Sequence, residues 1–88
     1  MSDTTWRKEI SAALKSAGEK WTDVESNTLS EAELDVVFDG GYGGSEGKAF
    51  TMWTHNRVYF PVVYDGAEWV ESVSRNPDGK PTRHKGGE

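Results

Sequence analysis

Apolar residues recur with a helical rhythm at the start of this chain and with an alternating rhythm towards its end. Trp6, Ile10, Ala13, Leu14 and Ala17 fall on one face of a 3.6-residue repeat, with Arg7, Lys8, Ser11 and Lys15 on the other. This spacing predicts an amphipathic helix over about residues 5–17, capped by Asp3 or Thr4 and closed by Gly18 just past its end. Later, residues 49–54, 57–64 and 67–73 read as strands. Asp65-Gly66 between the second and third is the signal of a two-residue hairpin turn, and His55-Asn56 between the first and second is a weaker one.

The hairpin fixes a register. Tyr64 should face Ala67, Val62 Trp69, Phe60 Glu71, and Val58 Val73. One sheet face then carries Val58, Phe60, Val62, Tyr64, Trp69 and Val73, and the other carries Tyr59, Pro61, Val63 and Val70. Pro61 falls within the middle strand, where it has no N–H for the ladder. That requires either a bulge or an unpaired flank at this residue.

Between helix and strands lies an acidic stretch. Thr22-Asp23-Val24-Glu25 and Ser30-Glu31-Ala32-Glu33 each have the hydroxyl-to-Glu spacing of a capping box. The second predicts a short helix over about residues 31–37, although the β-branched pair Val36-Val37 also suits a strand. Residues 39–47 hold five glycines in nine positions and form a loop with Tyr42 at its tip. The expected fold is α+β: an N-terminal amphipathic helix packed on a small antiparallel β-sheet, a three-stranded meander, with a short acidic helix. Trp6, Ile10 and Leu14 are expected against Phe60, Val62 or Trp69. That leaves Tyr59, Val63 and Val70 to be covered by residues 21–38 or by another molecule, a homodimer being one way to do so. Residues 1–74 are expected to form the single domain and residues 75–88 a flexible basic tail, since no apolar residue other than proline follows Val73.

Composition sharpens this picture. A chain of 88 residues makes one small domain that buries only about 60% of its unfolded surface. Hydrophobic residues are only 34% of it, so the four Trp, three Tyr and three Phe must supply much of the core. The absence of cysteine excludes disulfides, thiolate metal sites and a thiol nucleophile. The N-terminus leads into no apolar signal segment, and no apolar run approaches the roughly 18–20 residues of a membrane span. A cytoplasmic setting, within a host cell, is therefore expected.

Candidate chemistry is sparse. The glycine loop fails the phosphate-loop pattern, because Tyr42 stands where its first glycine belongs and Ala49 where Ser or Thr belongs after Lys48. Glu46 likewise occupies the third glycine position of a dinucleotide loop. His55 and His84 have no ligand spacing, and the carboxylates have no nucleophile or base arranged with them. No catalytic residue, metal or cofactor is expected, and the chain is not read as an enzyme. Trp53, Tyr59, Phe60 and Trp69 with Arg57 could stack single-stranded nucleic acid. A chain this short needs those aromatics for its core, however, and a net charge of −5 repels phosphates.

The charge itself is uneven. Between residues 21 and 47 stand Asp23, Glu25, Glu31, Glu33, Asp35, Asp39 and Glu46, with no Lys or Arg. Such a run is either a solvated surface or a negative patch that docks on a basic surface, with Tyr42 as an aromatic anchor. In its general make-up, short, acidic and cysteine-free, the chain resembles small phage or mobile-element accessory proteins. The charge run favours a binding or inhibitory protein, anti-CRISPR-like, which occupies a basic site on a nucleic-acid-handling complex without itself binding nucleic acid or membrane. A structural or self-associating subunit is the alternative.

Overall fold

A computed structural model describes residues 3–39, 47–64 and 67–84. The elements in chain order are β1 (Asp3–Thr5), α1 (Trp6–Ser16), a single 3-10 turn (Trp21–Asp23), β2 (Val24–Asn27), α2 (Glu31–Leu34), β3 (Val37–Asp39), β4 (Met52–Thr54), β5 (Arg57–Tyr64) and β6 (Ala67–Ser74). β1 and β3 form a small antiparallel pair, and β2-β4-β5-β6 form a four-stranded antiparallel sheet in that order. The fold is α+β, one main helix and one short helix packed on antiparallel sheets.

Local chemistry sets the ends of α1. The Thr5 hydroxyl accepts from the Lys8 N–H at 3.2 Å. At the other end Gly18 adopts φ +74°, a left-handed conformation that suits glycine. The Gly18 N–H then reaches the Lys15 carbonyl at 3.1 Å, and the Glu19 N–H reaches the Leu14 carbonyl at 2.8 Å, closing the terminus. The expected capping box at Ser30 is formed: its hydroxyl accepts from the Glu33 N–H, and the Glu33 carboxylate accepts from the Ser30 N–H. The helix it starts is only four residues long, because Val36-Val37 leads directly into β3. The box expected at Thr22 is not formed. Asp23 instead accepts from the Lys20 N–H at 2.9 Å, and Glu25 lies in β2.

The β5–β6 register is the expected one at every pair, from Arg57 opposite Ser74 to Tyr64 opposite Ala67. The meander is β4-β5-β6, and β2 adds a fourth strand on its outer side with a register shift between Val24 and Ser26. Pro61 is accommodated by an unpaired flank. β4 is only three residues long and pairs with β5 at Val58 and Tyr59, so no β4 partner waits for an N–H at residue 61.

The helix lies on the face opposite to the one expected. Trp6, Ile10 and Leu14 are buried in one cluster with Leu29, Leu34, Phe38, Phe50, Met52, Tyr59 and Val70. Phe60 and Trp69 lie on the other face, and Val62, though buried, is not part of that cluster. Both faces are apolar enough to serve, so hydrophobicity alone does not choose between them. Polar anchors decide the matter. The Tyr59 hydroxyl donates to the Glu19 carboxylate at 2.5 Å, and the Thr54 hydroxyl donates to the same group at 3.0 Å. Glu19 directly follows the end of α1, so this contact draws the helix onto the Tyr59 side. Of the three residues expected to need cover, Tyr59 and Val70 are covered within the chain, at 0% and 7% exposure, and Val63 is half-buried.

A backbone strap at Gly47-Lys48 closes the edge of the core. The Trp6 indole N–H donates to the Lys48 carbonyl at 2.9 Å, and the Gly47 N–H donates to the Glu68 carboxylate at 3.0 Å. A Cβ on Gly47 would stand 2.5 Å from a Trp6 ring carbon. Gly47→Ala is therefore expected to force the strap off the indole and to destabilise the domain by about 1–3 kcal/mol. That corresponds to a fall of about 4–8 °C in melting temperature per kcal/mol. Thermal denaturation followed by Trp fluorescence checks this, and an unchanged midpoint would mean that the strap is not clasped in solution.

Candidate binding surfaces

Two surfaces are candidates: the acidic segment to which the sequence points, and the sheet face that was expected under α1 and is not. In the acidic segment, the bases missing from the run arrive from elsewhere in the chain. Arg7 on α1 donates to Asp35 at 2.7 Å and to Glu31 at 2.9 Å, and its guanidinium also lies 5.9 Å above the Trp21 ring. Lys48 pairs with Glu33. Arg75, placed just after β6, pairs with Glu25 at 2.8 Å, with the His55 ring 3.6 Å from the same carboxylate. Asp23 caps the turn before β2, and Asp39 stands opposite Asp3 in the β1–β3 pair. Tyr42 and Glu46 lie outside the described residues. The segment is thus a laced surface of ion pairs rather than a bare run of negative charge. Its basic members were invisible to a local reading, because Arg7 is 24 residues from Glu31 and Arg75 is 50 from Glu25.

The second surface is the sheet face away from α1. Its rungs can be read from the strand registers. Ser26, Trp53, Val58 and Val73 form one, Phe60 and Glu71 the next, Val62 and Trp69 the third, and Tyr64 and Ala67 the last. Trp53, Val58, Phe60, Trp69 and Val73 are half-buried and Tyr64 is 50% exposed. The Trp69 indole N–H donates to the Glu71 carboxylate at 2.7 Å, so this face satisfies its polar groups without the helix. A cluster of three large aromatic rings with valines between them exceeds the singly scattered apolar residues of an ordinary surface. The pattern that would have revealed it was present in the hairpin register; what was missing was which of two apolar faces the helix takes.

The remaining polar cluster is structural in position. Thr54, fully buried, also accepts from the Arg57 N–H at 2.9 Å and so ties the β4–β5 turn. Burial, followed by the adjacent Glu19 carboxylate, raises the Tyr59 hydroxyl well above its ordinary 10.0, so it stays a hydrogen-bond donor at neutral pH. Among the described residues there is no group of three or more His, Asp or Glu placed to hold a metal ion. No helix among them is long and apolar enough to cross a membrane. Comparison with protein-family models, with curated proteins and with solved structures finds no match.

The ion pairs carry a pH signature. The Arg75 hydrogen bond lowers Glu25 from its ordinary 4.5, the Lys48 hydrogen bond does the same for Glu33, and Arg7 lowers Asp35 from 3.8. Because the folded-state values lie below the ordinary ones, the stabilisation is complete above the ordinary values. It disappears as pH falls through the lowered ones. The melting temperature should therefore drop on acidification from about pH 5 to pH 3, and less so in 1 M salt, where charges are screened within about 3 Å. Arg7→Gln should flatten part of the profile. A melting temperature independent of pH over this range would show that the pairs are not held in solution.

Proposed function

We propose that this chain is a small protein-binding domain without catalytic chemistry, which acts by occupying a partner's surface through the open sheet face. The observation that carries the reading is the set Trp53, Phe60 and Trp69, half-buried on one sheet face with Val58 and Val73 among them. Aromatic rings on a rigid sheet lose little conformational freedom on binding, which is why such residues serve as anchors. Glu71 places a negative charge among the rings of that face, and the net charge is −5. Both features disfavour a nucleic-acid occupant and suit a protein with an apolar patch ringed by basic groups. The narrower reading is a phage or mobile-element inhibitor that blocks a nucleic-acid-handling complex. It rests on the small size, the acidity and the lack of catalytic residues.

A second reading places the contact on the acidic segment itself. In its favour, the Glu31 side chain is 86% exposed even while paired with Arg7. Exchanging partners is cheap for such surface ion pairs, so a basic protein could compete for these carboxylates.

The two readings separate experimentally. A partner captured by the wild-type chain would be identified, purified and titrated against two variants whose fold is checked by circular dichroism. Phe60→Arg is expected to weaken binding by about 30-fold or more, the loss typical of a central anchor. Reversing Glu31, Glu33 and Asp35 to Lys is expected mainly to slow association and to reduce its salt dependence. Unchanged affinity for Phe60→Arg together with lost binding for the charge reversal would move the site to the acidic segment.

A further inference from the structure

The sheet ends at β6, and the outer flank of that strand faces a groove beneath α1. The phase of the ladder fixes which groups point into it. The Arg75 N–H donates to the Asn56 carbonyl at 2.9 Å, so these two form a hydrogen-bonded pair. In an antiparallel ladder such pairs alternate, which makes Val58–Val73, Phe60–Glu71 and Val62–Trp69 the next ones. The N–H and C=O groups of Val70 and Ser72 therefore point away from β5, and no described strand lies beyond them. Arg57 reaches across the end of this edge, where its guanidinium donates to the Ser72 carbonyl at 3.1 Å and to the Ser72 hydroxyl at 2.7 Å.

The groove beside the edge has a volume of about 500 Å³. Its α1 side is a stripe of small residues, Ala12, Ala13 and Ser16 on the helix and Ala17 just past its end. On the opposite side of the same edge, the Trp69 indole and the Glu71 carboxylate stand together, joined by their hydrogen bond. Side chains of an added strand would alternate between these two environments.

We propose that this edge receives an extended segment of a partner protein as a fifth strand, with apolar residues turned to α1 alternating with Lys or Arg turned to Trp69 and Glu71. The N–H and C=O of Val70 and the N–H of Ser72 supply the ladder, the Ser72 carbonyl being held by Arg57, and the alanine stripe offers an apolar wall to the inward-facing side chains. The carboxylate of Glu71 and the face of Trp69 both attract a cation. Glu9 and Arg57 both line the groove side and offset one another, so the charge that selects a cation is that of Glu71 on the other side of the edge. A second copy is the poorer match by charge, since its own β6 brings two more carboxylates, Glu68 and Glu71, to the same place. This edge shares Trp69 and Glu71 with the sheet face but does not use Trp53 or Phe60, and its backbone ladder is tested apart from them, so its failure would leave the sheet-face reading standing.

The probe is a capped seven-residue peptide alternating Ala and Arg, titrated into the full chain and followed by amide NMR and hydrogen exchange. The Val70 and Ser72 amides should shift, and their exchange should slow by about tenfold or more at saturation. The same peptide N-methylated at alternate residues should bind at least about tenfold more weakly, because it cannot complete the ladder. Glu71→Gln, close to isosteric, should weaken the unmodified peptide by about three- to tenfold. The proposal is overturned if the N-methylated or an Ala–Glu peptide binds equally well, or if Val70 and Ser72 do not respond. It is also overturned if those amides become protected with rising protein concentration alone, which would assign the edge to a second copy.

Discussion

The indole of Trp6 is where the parts of this molecule meet. It opens α1, it is 1% exposed, and its ring lies 4.6 Å from that of Phe38 and 5.0 Å from that of Phe50. Its one polar atom is satisfied by the Lys48 carbonyl. Helix, β3, the segment before β4 and the strap at Gly47 are therefore held by one side chain. The rest of the packing requires that its plane stay clear on the glycine side. In a domain with so few aliphatic residues, a single large ring joins four segments that smaller side chains would have to join pairwise.

The fold was legible wherever the chain's own neighbours determine it. The stripe from Trp6 to Leu14, the left-handed stop at Gly18, the box at Ser30 and the Asp65-Gly66 hairpin register all depend on residues a few positions apart. β2 and the β1–β3 pair were not seen. They are short strands of three or four residues whose partners lie far along the chain, so no local rhythm marks them. The side of the sheet that meets the helix was misread for a physical reason. Alternation gave two apolar faces, and the choice was made by hydroxyl-to-carboxylate contacts between Glu19, Thr54 and Tyr59, 35 and 40 residues apart.

The candidate surfaces show the same division. The acidic run was plain in the sequence, but its electrostatic meaning was not, because Arg7, Lys48 and Arg75 come to it from three other elements. The open aromatic face was visible as a list of residues and invisible as a surface until the helix was placed. Whether a Trp or Phe in a small domain is core or contact depends on which side of a two-sided sheet the chain covers.

Pro61 and the bulge in β2 bear on assembly. A sheet that can take a strand on one edge is a polymerisation hazard only if its other edge can give one. Here β6 offers eight residues, while the far edge is four residues of β2 interrupted by a register shift. The flank of β5 past β4, where no described strand pairs with it, contains a proline, which has no N–H to donate. Growth by strand addition is therefore directional and ends after one step. Such a chain can lend an edge to another protein while having little means of propagating into a fibril.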